Sequence, residues 1–462
     1  MTTWGDALYV AHGQFPRLNP SNIAARPLRR ISRSPTLTEM LIGNPDATTD
    51  PRDAAAITFV LELARALHVH GTPAHRLETA LYTIATKLGL RAEFFSTPTS
   101  IMVGFGQLVD QRVHLLRVEP GKPNLGHLSQ LADITRGVMS GDVAPTDGLR
   151  RIRALDSQPT RWPRWLQSIA YVFVSAAVAV FLRVHIGDVV IASVLGLVTG
   201  VIALYAARTE DLRNVTEPLA AFVVTTLAFI VDVLAHTDSG YLTSLAGLVI
   251  MLPGLTFTVA LTELSTRHLA SGTARLSGAL VIFLGLGFGL ALGAKFGTFL
   301  GFSIQNLVGS HSLDWLSRAS LPPWTEWVAL LVAPLAFTVL LNAEARDAGS
   351  IVVACAAAYL TSRFAGASMG EELGAFLGAF VVSAGSNVLS RQFRRSSMVT
   401  VVPGLLILVP GSIGFRSVTS LLGQQVEAGV STGFRVLIVG ISLAAGLLAG
   451  TIVYSGDTRR RD

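Results

Sequence analysis

The chain has 462 residues, 50% of them hydrophobic and only 14% charged, against about 25% charged in soluble domains. This balance excludes an ordinary soluble protein and points to an integral membrane protein; the net charge of +6 fits membrane topology better than nucleic-acid binding. The lone Cys355 excludes an intrachain disulfide, and the opening MTTWGDALYVAHGQF has no basic stretch leading into an apolar core, so no cleavable signal peptide is expected.

Residues 1–50 are rich in Pro, Ser, Thr and Arg without apolar periodicity, and are expected to be disordered. Residues 51–160 are expected to fold as a cytoplasmic α+β domain. In it, AAAITFVLELARALHVHG reads as an amphipathic helix closing at Gly71. TPAHRLETALYTIATKLG reads as a second helix, with Thr72 as N-cap, Pro73 at the first helical position and Gly89 as its stop. AEFFST, SIMVGFG and RVHLLRV read as short strands, after which NLGHLSQLADITRGVMSG and PTDGLRRIRALD return to helix. His68, His70 and His75 stand near Glu78, and His75 shares a helix face with Glu78. Neither HExxH nor CxxC spacing occurs, so no metal is expected. Without a GxxxxGK[ST] loop, neither an ATP motor on this chain nor a cofactor is expected.

From Trp165 onward about ten apolar segments of spanning length follow, near 166–182, 188–206, 217–235, 241–262, 276–301, 325–342, 349–362, 371–388, 398–418 and 433–454. The segment 349–362 is short for a span. Trp162, Trp165, Trp324 and Trp327 sit at segment edges, where amphipathic rings prefer the interface. With the N-terminal domain inside, the inner loops carry Arg208, Arg213, Arg267, Arg275, Arg346, Arg391, Arg394 and Arg395, and the tail carries Arg459, Arg460 and Arg461. The outer loops carry only Arg183, Arg318 and Arg363. The asymmetry predicts an even number of crossings, both termini cytoplasmic, in the cytoplasmic (inner) membrane.

Two apolar stretches carry Pro-Gly: IMLPGLTF, with Pro253-Gly254, and VVPGLLILVPGSIGF, with Pro403-Gly404 and Pro410-Gly411. Proline removes a backbone donor and glycine loosens a helix. Pro253 and Pro403 stand 150 residues apart, each in the fourth segment of a group of five. An odd number of crossings between them reverses direction, the signature of an inverted repeat with the solute site at the broken helices. The expected fold is therefore an all-α polytopic membrane protein with a 5+5 inverted repeat, behind an N-terminal α+β domain. Residues 161–304 form the first repeat, 305–324 an external loop, 325–456 the second repeat and 457–462 a basic tail.

Gly285, Gly289, Gly293, Gly297 and Gly301 recur every four residues and predict a smooth helix face for close packing. Gly366, Gly370, Gly374 and Gly378 repeat the pattern in the eighth segment. Ionisable and polar groups within spans are candidates for the translocation path. Asp188, Glu371 and Glu372 read equally as helix caps. Lys295 is long enough to reach the outer interface. Asp232, Glu263, Asn387 and Arg416 complete the set. The expected path residues are Pro253, Gly254, Glu263, Asn387, Pro403, Gly404, Pro410 and Gly411, with Asp188, Asp232 and Glu263 as candidate proton carriers.

Several stretches resemble the threonine/serine exporter family. LHVHGTPAHRLETALYTIATKLGLRAEFFSTPTSIMV is similar to the family's N-terminal pattern, with Arg76-Leu77-Glu78, Leu88-Gly89 and Thr97-Pro98-Thr99 at the matching places. Arg117-Val118 and Asn124-Leu125 match further positions, and the Pro-Gly helices follow in order, so the resemblance covers about 400 residues. The chain departs from the pattern at His75, where a more hydrophobic or tyrosine-like residue is expected before the arginine. The resemblance implies an exporter of threonine and serine driven by the proton motive force, with a ten-helix membrane unit.

The broken helices suit such a solute, since free amides can meet its carboxylate and free carbonyls its ammonium group. Small dicarboxylates such as succinate remain an alternative cargo, as does a membrane-anchored enzyme or sensor acting through the N-terminal domain. The partners expected are a small solute, protons and the lipid bilayer, with self-association into a homo-oligomer left open. No nucleic acid is expected.

Overall fold

The computed structural model describes residues 51–209, 212, 215–308, 320–393, 395–409, 414–415, 417, 420 and 426–455. Residues 1–50, Arg213, Arg318, Arg394, Pro410, Gly411, Arg416 and the basic tail lie outside the described residues.

The N-terminal part is built from α1 (Pro51–Val69), α2 (Ala74–Lys87), β1 (Ala92–Thr97), β2 (Ser100–Phe105), β3 (Arg112–Arg117), α3 (Leu125–Ser140) and α4 (Pro145–Asp156). The strands form an antiparallel meander in the order β1-β2-β3, pairing Phe95 with Met102 and Met102 with Leu115. One sheet face carries Ile101 and Val103, which are buried with Phe59, Leu63, Leu77, Leu81, Leu131 and Ile152 in the helices. Period-2 alternation thus places one apolar face inward. Helix α2 departs from the sequence expectation at its start. Pro73 is itself the N-cap and offers no side-chain bond, so the helix begins at Ala74, and the buried Thr72 hydroxyl has no partner.

The remaining helices are α5 (Arg164–Phe181), α6 (Ile186–Ala206), α7 (Thr216–Ala235), α8 (Gly240–Leu248), α9 (Gly254–Ser265), α10 (Leu269–Val308), α11 (Thr325–Leu340), α12 (Ala348–Met369), α13 (Glu371–Phe393), α14 (Met398–Leu408) and α15 (Val426–Ser455). Among the described residues, seven helices are long and apolar enough to cross a membrane, and eight if α8 and α9 count as one bent span. Helices α11 and α14 are apolar but shorter. The segment expected to be short runs through Arg363 to Met369 as the 22-residue α12. Helix α10 has 40 residues, about 60 Å at about 1.5 Å per residue, roughly twice a bilayer's hydrocarbon core.

The chain breaks between α8 and α9 with a 58° bend. Leu252, the residue before Pro253, is extended at φ −64° and ψ 130°, the conformation that the next residue's proline ring favours. The second break does not fall at Pro403-Gly404. Pro403 lies inside α14, which continues to Leu408; Val409 is then extended at φ −64° and ψ 134°, just before Pro410. Among the described residues, helix therefore stops before Pro253 and again at Leu408, and Pro403-Gly404 is not the stop. A proline within a helix forfeits one hydrogen bond, and buried neighbours on every side hold α14 together across it.

The glycine row of α10 lies against α7. A Cβ on Gly289 would meet the Pro218 carbonyl oxygen at 2.3 Å, one on Gly293 the Phe222 oxygen at 2.7 Å, and one on Gly297 the Thr226 oxygen at 2.5 Å. Gly301 faces Val233, while Gly285 is in ordinary contact with Pro218. Helix α15 lies on α13 in the same way, with Gly446 and Gly450 against the carbonyls of Phe376 and Phe380. The other glycine row is not one face, because α12 ends at Met369 and Gly370 turns the chain at φ +96°.

Gly289→Ala is expected to destabilise the protein by about 1–3 kcal/mol, the usual range for overpacking. Gly278→Ala, where a Cβ meets nothing within 4 Å, serves as the silent control in the same thermal-unfolding measurement.

Candidate functional site

Three sets of contacts among the described residues, beside those of Arg76 taken up below, join the α+β part to the membrane helices. The first is apolar: Leu125 and Leu128 of α3 belong to one buried cluster with Val174, Ala333, Phe337, Ile351, Met398 and Val402. The second joins two helix ends. The backbone N–H groups of Leu125 and Gly126 donate to the carbonyls of Leu341 and Asn342, at 2.9 and 3.1 Å. Orphan donors at the start of α3 thus satisfy acceptors just past α11. Gly126 is required there, since a Cβ would meet the Asn342 oxygen at 2.6 Å. Asn124 caps α3 by accepting from the His127 N–H. Trp162 Nε1 donates to the Ala343 carbonyl at 3.0 Å.

The third contact centres on Glu263, near the end of α9 and fully buried. Its Oε1 accepts the Ala74 backbone N–H at 2.8 Å, so a carboxylate from the membrane part caps α2. Its Oε2 accepts the Ser271 hydroxyl at 2.7 Å and forms an ion pair with Arg275 Nε at 3.2 Å. Beside it, His268 Nε2 lies 3.2 Å from Glu78 Oε2, while Glu78 Oε1 accepts the Ser96 N–H. Burial pushes the Glu78 carboxyl up, and the Ser96 bond and His268 oppose the shift. His268 Nδ1 sits 3.0 Å from the Thr266 carbonyl.

Next to this network lies a cavity of about 50 Å³. Its walls are Leu255, Val259 and Thr262 of α9, Met398, Val401, Val402 and Leu405 of α14, Leu447, Leu448 and Thr451 of α15, and Gly71, Pro73, His75, Arg76 and Pro123 of the N-terminal part. It holds water-sized occupants but falls short of the roughly 300–1,000 Å³ of a small-molecule site. His75 and Arg76 also line a wider, half-open space of about 500 Å³, with Thr79, Thr83, Thr135 and Met139.

The sequence candidates fall in different places. Glu263 is at the junction just described. Pro253, Gly254, Pro403 and Gly404 are buried beside the cavity, and their neighbours form its wall. Asn387 is half-buried on α13 and does not line it. Asp188 and Asp232 converge on Ser239 at the start of α8. Asp188 accepts the Ser239 hydroxyl and the His185 N–H. Asp232 accepts from the Thr237 hydroxyl and from the Ser239 and Gly240 N–H groups. Lys295 is exposed on α10. The N-terminal histidines take separate partners: His68 the Pro98 carbonyl, His70 the ring of His127, and His75 the edge of His268 at 6.2 Å. Arg76, His268, Ser271 and Arg275 were not singled out as site residues from the sequence; the loose Arg76-Leu77-Glu78 pattern was the signal for the first.

Glu263→Ala leaves the half-buried Arg275 without its carboxylate and strips the cap from α2. It is expected to cost about 3–5 kcal/mol, as for one removed partner of a buried pair, and to open the α1–α4 region to limited proteolysis. His75 gives a pH dependence. Burial, with Arg76, His268 and Arg275 nearby, lowers its pKa from 6.5 to about 3. The native protein keeps His75 neutral while the unfolded chain takes up a proton, so its contribution is present above the unfolded value and lost as pH falls. The melting temperature is expected to drop between about pH 7 and pH 5, and His75→Gln to remove part of that drop.

A family model for the threonine/serine exporter matches residues 58–297, and a second, described as Threonine/Serine exporter, ThrE, matches residues 326–453. Among curated proteins, the chain is similar to pheromone-regulated membrane protein 10 of Eremothecium gossypii, at 25% identity over 86% of this chain and 56% of that protein. The protein of the same name from Candida albicans (strain WO-1) is 28% identical over 78% of this chain and 33% of that protein. The uncharacterized protein C7D4.12c of Schizosaccharomyces pombe is 24% identical over 87% of this chain and 56% of that protein. The chain thus spans a third to just over half the length of these relatives. No solved structure matches it. With both models in chain order on either side of the α10–α11 connection, the chain belongs to the threonine/serine exporter family.

Proposed function

We propose that the protein is a secondary-active exporter of threonine and serine across the cytoplasmic membrane, coupled to proton antiport. The observation that carries this reading is the cavity between α9 and α14, each adjoining a chain break before a Pro-Gly pair. Irregular backbone is tolerated at membrane depth where it is buried in protein or lines a cavity, and paired breaks mark solute sites in inverted-repeat transporters. The α7–α10 and α13–α15 glycine contacts support the same repeat, since each joins a third helix to a fifth.

In this arrangement α5 to α10 and α11 to α15 make ten crossings, with the α8–α9 pair and the region around α14 as the broken fourth members. Residues 51–160 form a cytoplasmic domain, and both termini are inside. Glu263 is the foremost coupling carboxylate, because it is buried at the junction of domain, broken helix and cavity. Asp188 and Asp232 are further candidates at the other end of the span. Within the cavity wall Arg76 is the one cation among the described lining residues, which favours a monocarboxylate amino acid over a dicarboxylate.

Proteoliposomes preloaded with labelled threonine test the reading. An acid exterior is expected to accelerate efflux, and a protonophore to abolish the acceleration. Efflux indifferent to the gradient overturns the coupling. Succinate moving in place of threonine overturns the substrate assignment.

A further inference from the structure

Arg76 occupies an unusual position. It stands in the first turn of α2, on the α+β part, yet it lines both the narrow cavity among the membrane helices and the wider space outside it. Its Nη1 lies 3.2 Å from the Ser397 hydroxyl oxygen and 3.2 Å from Met398 Sδ, at the start of α14. A guanidinium has five N–H donors, and these two contacts are neutral. Among the described residues no carboxylate forms an ion pair with Arg76. The carboxylates nearest in the network are engaged elsewhere. Glu78 takes the Ser96 N–H and His268, and Glu263 takes Ala74, Ser271 and Arg275.

A partly buried cation without a counter-ion is costly, and an arriving anion relieves that cost. Desolvation already lowers the Arg76 pKa. The other described residues lining the narrow cavity are apolar apart from His75 and the hydroxyls of Thr262 and Thr451, so among the described lining residues a carboxylate entering there finds its one opposite charge at Arg76. The wider space adds Thr79, Thr83 and Thr135.

We propose that Arg76 binds the carboxylate of the transported solute where the wider space meets the cavity between α9 and α14. The α+β domain then supplies part of the solute site itself. This deepens the exporter reading and rests on it. Arginine suits the role because its planar fork grips a carboxylate with two parallel bonds. The bond to Ser397 is the resting contact that an incoming carboxylate displaces.

The test compares threonine with threonine amide, which keeps the ammonium and hydroxyl groups but has no negative charge, in proteoliposomes of the full chain. Succinate and its monoamide form a parallel pair. The wild type is expected to show a KM for the carboxylate about 10- to 100-fold below that for the amide, as for a charged hydrogen-bonded contact. Arg76→Gln is expected to bring that ratio close to one, and Arg76→Lys to keep part of it. A structural clamp on α14 would change both KM values or the maximal rate together and leave the ratio intact; that result overturns the assignment. A wild type that does not distinguish acid from amide overturns it too, whatever the variants do. A wild type that moves neither threonine nor succinate overturns the exporter reading and this assignment with it, whereas transport with an unchanged ratio in Arg76→Gln removes only the role of Arg76.

Discussion

A carboxylate sealed from water has to be supplied with donors, and at Glu263 the supply decides how the molecule is put together. One donor is the Ala74 amide, which begins a helix of the α+β part; the others, Ser271 and Arg275, lie on the long helix after the broken one. Because each oxygen is committed, moving either side away exposes an ion and an uncapped helix together. The small domain is therefore seated by a polar lock as well as by the apolar cluster around Leu125. The position of His75 and Arg76 follows directly. They are the residues next after Ala74, so fixing that amide places their side chains at the mouth of the narrow cavity.

The breaks and the glycine rows do complementary work. Where α7 meets α10, carbonyl oxygens approach glycine Cα atoms so closely that no side chain fits, and the helices pack as a rigid pair. Where the chain breaks, extended backbone before each proline replaces helical bonds, and the neighbouring helices are short. Closely packed pairs flanking short, interrupted elements suit the exporter reading proposed above.

Much of this was legible in the sequence. Long apolar runs give membrane helices almost directly, because hydrocarbon tolerates little else, and the strands of the α+β part follow from alternation at AEFFST and RVHLLRV. The second break was harder to place. VVPGLLILVPG contains two Pro-Gly pairs, and nothing local says which one the fold absorbs; burial of α14 around Pro403 decides it. The start of α2 was misread for a related reason. Thr72 is a good capping residue by type, but the actual cap is a carboxylate 189 residues away in sequence. Arg76, His268 and Arg275 come together only through tertiary contact, and no spacing in the sequence announces that.

The end-to-end union of α3 and α11 has a mechanical meaning. Hydrogen bonds from Leu125 and Gly126 to Leu341 and Asn342 tie the start of α3 to the end of α11, and an apolar collar around Leu125 and Phe337 covers the joint. A displacement of α3 therefore loads α11 through these bonds, and one of α11 loads α3 in turn.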